Sequence, residues 1–176
     1  MRIVEASASD LADVLAVERL AFGGELEAGL VADLLEDPTA QPLLSLLARA
    51  EGRPVGHILF TAVRLEEGVP GFRLAILAPL AVVPDAQRKG IGGRLIEHGI
   101  RLLGEAGVAL VLVLGHPGYY PRHGFQPAGC HGLRPPYPVS PENAWMVRPI
   151  SPHVLGRVQG RIVCADALDR PEYWRE

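Results

Sequence analysis

Cysteine, positive charge and long apolar runs are all scarce in this chain, and each scarcity excludes a class of protein. The two cysteines, Cys130 and Cys164, form neither a zinc-ligand spacing nor a disulfide framework. The formal net charge of −3 argues against a nucleic-acid partner, which would need a basic surface. No apolar run reaches the ~18 residues of a membrane span, and the chain goes directly into strand-like Arg2-Ile3-Val4. We therefore expect a cytoplasmic protein with no metal, membrane or nucleic-acid partner.

What the chain does have is enough apolar sequence for one ordinary domain, since 48% of its 176 residues are hydrophobic. We predict a single domain with its core in 1–150 and an extension over 151–176. Ser9 is the predicted N-cap of the first helix. The apolar patterns and the glycine and proline positions predict helices near 9–22, 25–36 and 90–106 and strands near 1–6, 43–50, 55–65, 72–83, 108–114, 144–148 and 161–163.

A glycine-rich turn, Gln87-Arg88-Lys89-Gly90-Ile91-Gly92-Gly93, opens the predicted helix at 90–106. Free backbone N–H groups at a helix N-terminus bind anions, and glycines let a phosphate approach them closely. The turn is not a P-loop, because its lysine precedes the glycines. Nor is it a dinucleotide fingerprint, because Leu95 stands where the third glycine belongs. The turn predicts a phosphate-bearing ligand of another kind.

The turn and its flanks resemble those of the Gcn5-related N-acetyltransferases, the GNAT superfamily. The resemblance is carried by Gln87-x-x-Gly90-x-Gly92, by the preceding Leu80-Ala81-Val82-Val83-Pro84 and by the following Tyr120-x-x-x-Gly124-Phe125. It is similar to the bacterial branch with an Ala-Pro-Leu-Ala-Val strand and a Gly-x-Pro-x-Tyr-Tyr segment, and it covers mainly 77–126. It implies an α/β (α+β) fold with a mixed, mostly antiparallel sheet of about six or seven strands and about four helices.

The same resemblance implies acetyl-coenzyme A (acetyl-CoA) as the donor and direct transfer of its acetyl group to an amine in a ternary complex. In the family the strand before the glycine turn offers backbone N–H groups to the thioester and pantetheine, and the turn holds the pyrophosphate. The cofactor-binding residues predicted in this way are Leu80, Ala81, Val82, Gln87, Arg88, Lys89, Gly90, Ile91, Gly92, Gly93 and Arg94. The alternative for the cationic residues is an ordinary solvated turn that caps a helix.

Two residues are predicted to act in catalysis. Tyr120 stands at the family's position for the general acid, which protonates the departing thiolate. Tyr119 is the second choice, and simple aromatic packing is the alternative role. His116 follows the strand at 108–114 and has a suitable unperturbed pKa for a general base, although relatives often carry an acid or Asn near this point. A hydrogen-bonded loop histidine is the alternative there, and Glu25 is a second candidate for the base.

The acceptor is predicted to be a small-molecule or peptide amine that contacts 22–36, the hairpin at 43–65 and the loop at 127–141, with Phe22, Tyr137 and Trp145 as candidate lining residues. A homodimer is possible for such a fold. Two other functions stay open at this point. One is a non-catalytic acyl-CoA sensor or interaction module, and the other is a scaffold whose cofactor cleft is vestigial.

Overall fold

The computed structural model describes residues 1–68 and 71–175, and within them a nine-stranded sheet carries helices on both faces. The helices are α1 (Leu11–Phe22), α2 (Leu26–Glu36) and α3 (Ile91–Glu105). The strands are β1 (Arg2–Glu5), β2 (Leu44–Ala50), β3 (Arg53–Leu65), β4 (Arg73–Val82), β5 (Val108–Leu114), β6 (Gln126–Pro127), β7 (Leu133–Arg134), β8 (Trp145–Pro149) and β9 (Gly160–Val163).

The sheet follows the order β1-β2-β3-β4-β5-β8-β6, and β9 joins it by pairing with β3 and β7. Neighbours are antiparallel except for β4 with β5 and β7 with β9. The strand, helix and strand predicted over 72–114 therefore form a parallel β4–α3–β5 crossover. The prediction of six or seven strands was too low, because two-residue strands such as β6 and β7 are too short to show a periodicity. The described residues contain three α-helices rather than about four.

The first helix begins later than the sequence suggested. Ser9 does not cap it. Instead Ser7 opens a 3-10 turn over Ala8–Asp10, and the backbone N–H of Ser7 donates to the Asp10 carboxylate at 2.9 Å. α1 then starts at Leu11 and ends at Gly23, which adopts a left-handed conformation with φ of 73°.

Helices α1 and α3 lie on opposite faces of the sheet, and successive residues of β3 show this directly. A Cβ placed on Gly56 would meet Leu95 and Ile91 of α3. The next residue, His57, points the other way, toward Glu18 of α1. Gly99 lets α3 approach closely, since a Cβ there would overlap the ring of Phe60. Strand β4 lies between β3 and β5, and its long apolar run is accordingly buried over Leu74–Leu77.

The predicted C-terminal extension is tied into this structure. Strand β9 pairs with β3 through Arg64↔Val163 and Leu65↔Ile162. The backbone N–H of Ala167 donates to the Asp37 carboxylate at 2.9 Å, just beyond the end of α2. Residues after 150 therefore reach the α1–α2 face of the sheet.

No helix among the described residues is both long and apolar enough to cross a membrane.

Candidate active site

Strands β4 and β5 separate halfway along β4. Their parallel register runs as far as Leu77↔Val113, after which β5 ends at Leu114 while β4 continues to Val82. The β3–β4 register shifts at the same place, since Ile58 pairs with Leu80 but Phe60 pairs with Leu77. One extra residue of β4 is therefore accommodated as a bulge. The edge of β4 that faces away from β3 is open from Ala78 onward.

A cleft of about 1340 Å³ passes through this opening. It runs from the N-terminus of α3, on one face of the sheet, to the α1–α2 corner and residues 168–175 on the other face. Ordinary small-molecule sites occupy about 300–1,000 Å³. The cleft is therefore large enough for two substrates side by side.

The end of the cleft at α3 is an open helix N-terminus. The first helical hydrogen bond runs from the N–H of Arg94 to the carbonyl of Gly90 at 3.1 Å, so the N–H groups of Ile91, Gly92 and Gly93 precede the helical ladder. The N-cap residue Gly90 has φ of 82° and carries no side chain that could cap them. Such a helix end favours an anion.

The turn before the helix has two further features. Arg88 adopts φ of 64°, a left-handed conformation that is uncommon for a non-glycine residue and costs roughly 1 kcal/mol or more. Gln87 donates its side-chain N–H to the Val82 carbonyl at 3.0 Å. Gln87 thus holds the turn against the end of β4, and the exposed Arg88 in this turn lines the cleft.

Two glycines in the first turn of α3 are required by their neighbours. A Cβ on Gly92 would lie 2.5 Å from the Tyr119 hydroxyl, and a Cβ on Gly93 would lie 2.7 Å from the His123 ring. The segment after β5 therefore packs directly against the helix N-terminus. Burial raises the pKa of the Tyr119 hydroxyl, so it stays protonated and can donate a hydrogen bond here.

The structure brings most of the predicted cofactor-binding residues together. Among the described residues Ala81 and Lys89 are the exceptions, because neither lines the cleft: Ala81 is buried and Lys89 is exposed elsewhere on the turn. The remaining predicted residues all line it, namely Leu80, Val82, Gln87, Arg88, Gly90, Ile91, Gly92, Gly93 and Arg94. Their contact with a cofactor stays a prediction.

Tyr120 lies between the two ends of the cleft and is 9% exposed. Its ring contacts Phe125 with centroids 5.5 Å apart and Tyr119 with centroids 5.1 Å apart, both edge to face. A Cβ on Gly115 would overlap this ring, so the glycine at the end of β5 makes room for it. Packing thus positions Tyr120, and the packing and the acid role are compatible.

His116 also lines the cleft, but its ring takes part in the local turn. Its Nδ1 accepts the backbone N–H of Gly118 at 3.3 Å, and its carbonyl accepts the N–H groups of Tyr119 and Tyr120. Because Nδ1 holds the accepting lone pair, a neutral ring carries its proton on Nε2. This geometry supports a turn-forming role for His116 more than the role of general base.

Glu25, the second candidate for the base, lies outside the cleft. Its carboxylate accepts the Arg19 Nε–H at 2.8 and 2.9 Å on the surface. Two residues later Glu27 does line the cleft. The sequence favours Glu25 at the start of α2, but the carboxylate residue that lines the cleft there is Glu27.

The acceptor contacts predicted from sequence need correction. Among the described residues, neither the hairpin of β2 and β3 nor the loop at 127–141 lines the cleft, whereas Phe22 does. Trp145 is a core residue whose indole N–H donates to the Leu133 carbonyl, and Tyr137 packs near Trp174. Leu26, Glu27 and Leu30 also line the cleft and lie within the predicted range 22–36. The wall is completed by four residues of a segment that the sequence did not single out: Leu168, Glu172, Tyr173 and Arg175.

The cysteines are unsuited to act as nucleophiles. Burial raises the pKa of Cys164 to about 12, so its thiol stays protonated. Cys130 is exposed and lies outside the cleft. Within residues 1–68 and 71–175 there is also no group of three or more His, Cys, Asp or Glu side chains that could hold a metal ion.

A buried polar cluster of Glu18, His57 and Ser45 lies between α1 and the sheet. The Ser45 hydroxyl and His57 Nε2 are 2.8 Å apart. His57 Nδ1 and the Glu18 carboxylate are 3.8 Å apart, too far for a direct hydrogen bond. Burial raises the pKa of Glu18, against the opposing influence of His57. His57 is completely buried, which is consistent with a structural role.

Known proteins that this chain is similar to are described as acetyltransferases. The family model described as "Acetyltransferase (GNAT) domain" matches residues 43–127. The chain is 50% identical over 161 residues to the Escherichia coli K12 protein named "Uncharacterized N-acetyltransferase YjhQ", covering 90% of this chain and 88% of the relative. It is 33% identical over 162 residues to the E. coli K12 N-acetyltransferase YhbS, covering 92% and 94%.

Solved structures agree with this relationship. The crystal structure of E. coli YhbS in complex with CoA superposes with a TM-score of 0.88 at 30% identity, covering 96% of this chain and 92% of that one. A GNAT family acetyltransferase from Brucella melitensis in complex with acetyl-CoA gives 0.76 at 28% identity, covering 96% and 97%. The fold and family predicted from the glycine turn and its flanks are thereby confirmed, and the chain belongs to the GNAT family of N-acetyltransferases.

Proposed function

We propose that this N-acetyltransferase takes its acetyl group from acetyl-CoA and passes it to a primary amine while both substrates are bound. The observation that carries the proposal is the single cleft that joins the open N-terminus of α3, the open edge of β4 and the Tyr120 ring. The complexes of the two related acetyltransferases with CoA and acetyl-CoA support the same donor.

The α3 end of the cleft fits a pyrophosphate. The N–H groups of Ile91, Gly92 and Gly93 precede the first helical hydrogen bond, and Arg88 and Arg94 line the same end of the cleft. Amides and guanidinium groups are the donors that phosphate oxygens prefer. Arg88 is held in its left-handed conformation by the surrounding turn, and strain of this kind is concentrated at functional sites.

The bound donor would supply a thioester that an amine can attack, forming the N–C bond while the C–S bond breaks. The chain would contribute positions and protons. The open edge of β4 over 80–82 would offer backbone N–H groups where negative charge grows on the thioester oxygen. Tyr120 would hold its hydroxyl proton for the sulfur that leaves, and the proton released by the amine would pass to water or to a carboxylate of the acceptor wall. Holding both substrates in one cleft would supply much of the acceleration.

Two adjacent cations provide a matched test of the donor site. Arg88 lines the cleft, whereas its neighbour Lys89 does not, although both are exposed and both carry one positive charge. We would titrate the purified chain and the Arg88→Ala and Lys89→Ala variants with acetyl-CoA by calorimetry. We expect Arg88→Ala to weaken binding roughly tenfold, since a hydrogen bond to a charged group contributes about 1.5–3 kcal/mol. Lys89→Ala should bind almost as the wild type does.

Equal losses in the two variants would show that long-range charge, and not a contact by Arg88, holds the phosphate. An absence of binding by the wild-type chain would overturn the proposed donor. Circular dichroism spectra of the variants would establish that neither has lost its fold.

A further inference from the structure

The end of the cleft at the α1–α2 corner and residues 168–175, here called the acceptor end, has large apolar side chains exposed on its wall. Phe22 is 44% exposed and Leu26 is 52% exposed, and both lie at the corner between α1 and α2 where they line the cleft. They belong to a small group of large apolar side chains that the described residues leave exposed. Leu30 of α2 and Leu168 extend the same apolar surface inward. Exposed apolar side chains that converge on one cleft indicate a ligand with an apolar body.

The opposite side of this wall comes from the C-terminal segment and is preformed. The Trp174 indole N–H donates to the Leu168 carbonyl at 3.0 Å, and the Trp174 ring packs edge to face on buried Trp145 with centroids 5.8 Å apart. The N–H of Asp166 donates to the Thr39 hydroxyl at 2.8 Å. These contacts hold the segment against α2 and the sheet. Tyr173 and Glu172 are therefore presented to the cleft from a fixed backbone.

Charge is divided between the two ends of the cleft. The α3 end carries Arg88, Arg94 and Arg122, while Glu97 there is paired with Arg148. The acceptor end carries the carboxylates of Glu27 and Glu172 and the guanidinium of Arg175. One negative charge therefore remains uncompensated at the acceptor end, and an ammonium group is the complementary partner.

The negative charge around Tyr173 helps to raise the pKa of its phenol. Burial raises its pKa first, and the carboxylates of Asp33, Glu172 and Glu27 raise it further, against the lowering effect of Arg170. Carboxylates from α2 and from the C-terminal segment thus come near the same phenol. A substrate carboxylate placed among them would be repelled.

We propose that the acceptor is a primary amine joined to an apolar or aromatic body, with no carboxylate beside the amine. It would enter between the α1–α2 corner and the C-terminal segment, with its body on Phe22, Leu26 and Tyr173 and its ammonium group near Glu27 and Glu172. This inference rests on the proposed acetyl transfer and names the class of amine that receives the acetyl group.

The test compares three amines that differ by one feature each. Phenethylamine has the proposed chemistry, phenylalanine adds a carboxylate beside the same amine, and 2-(2-aminoethoxy)ethanol replaces the aromatic body by a polar chain. Release of CoA thiol from acetyl-CoA gives kcat/KM for each amine. We expect phenethylamine to exceed both others by roughly tenfold or more, the ratio that a buried apolar group or one repelled charge produces.

Variants locate the effect. A Phe22→Ser, Leu26→Ser double variant should lower kcat/KM for phenethylamine roughly tenfold and leave acetyl-CoA affinity unchanged. Leu20→Ser is the matched control, because Leu20 is 62% exposed on the same helix as Phe22 and lies outside the cleft. Glu172→Gln should raise KM for phenethylamine and reduce the discrimination against phenylalanine.

Three outcomes would overturn the inference: equal use of phenylalanine, equal use of the polar amine, or a double variant that behaves like Leu20→Ser. If acetyl-CoA binds but no amine of the set is acetylated, the proposed acceptor class is also wrong. Failure of acetyl-CoA to bind at all would instead overturn the proposed donor, which the calorimetric titration measures separately.

Discussion

The two ends of the cleft are built in different ways. The phosphate end comes almost entirely from one continuous stretch, Leu80 to Arg94, in which a strand, a turn and the start of a helix follow one another. The acceptor end is assembled from 22–30 and 168–175, segments that are far apart in the chain. A local site can be identified in the sequence, whereas an assembled one becomes visible only when the fold brings its parts together.

The residue that joins the two ends should give the largest effect. We expect Tyr120→Phe to lower kcat by roughly 10² to 10⁴, the range that general acid catalysis contributes. Tyr119→Phe is the matched control, since Tyr119 contacts the first turn of α3 and should change acetyl-CoA affinity more than turnover. Steady-state kinetics over a range of pH would measure both. Full turnover and an unchanged pH profile in Tyr120→Phe would show that Tyr120 is not the general acid. A large loss of kcat in Tyr119→Phe alone would assign that role to Tyr119.

Glycines in the helices on the two faces should respond in opposite directions. Gly99 of α3 packs on the buried ring of Phe60, so Gly99→Ala should lower the free energy of unfolding by about 1–3 kcal/mol through overpacking. Gly29 of α2 is exposed, and a Cβ added there would meet no other atom within 4 Å. Gly29→Ala should therefore raise the free energy of unfolding by about 0.5–1 kcal/mol through helix propensity. Urea denaturation checks both. Similar changes in the two variants would mean that packing does not distinguish the two helices.

Carboxylates on the two faces should give opposite pH dependence, and Glu18 tests the α1 face. Burial raises the pKa of Glu18 above its ordinary 4.5, with His57 opposing and Glu27 adding to the rise. The folded state then holds its proton more tightly than the unfolded state does, so this group's stabilising contribution is present at low pH and is lost as pH rises above 4.5. Glu18→Gln should therefore stabilise the protein more at pH ~8 than at pH ~4. Denaturation curves that shift equally at both pH values would contradict this.

The smallest effect is expected from Glu97 on the α3 face. The ion pair with Arg148, 2.7 Å long, holds the pKa of Glu97 below its ordinary 4.5. The stability from this pair is present above pH 4.5 and is lost as pH falls through the lowered pKa of the folded state. Because the carboxylate is half exposed, Glu97→Gln should cost less than about 1 kcal/mol at neutral pH and almost nothing in acid. If Glu97→Gln lowered the free energy of unfolding more in acid than at neutral pH, the ion pair would not be the source of this stability.

Features built from one continuous stretch of chain could be predicted from the sequence, whereas features assembled from distant segments could not. The hairpin of β2 and β3, the β4–α3–β5 crossover and the glycine turn were identified from sequence because each depends on neighbours along the chain. The acceptor wall was predicted wrongly at Trp145 and Tyr137, since an aromatic residue in a loop region gives no sign of whether it enters the core. Glu25 is the N-cap of α2 and Glu27 lies in its first turn. Two residues span more than half a turn of an α-helix, so the two side chains point in different directions.

The sequence by itself determined the position of the glycine turn and of the strands and helix around it, because glycine conformations and apolar periodicity act over a few residues. The resemblance of its motifs to a known family indicated the family and the tyrosine that follows β5. Only the tertiary structure decided that residues after 160 pair with β3 and β7 and close the cleft beside α2. It also decided that Arg88 lines the cleft while Lys89 does not. Those outcomes depend on contacts between distant segments, and such contacts exist only after the sheet has formed and its two faces have been covered.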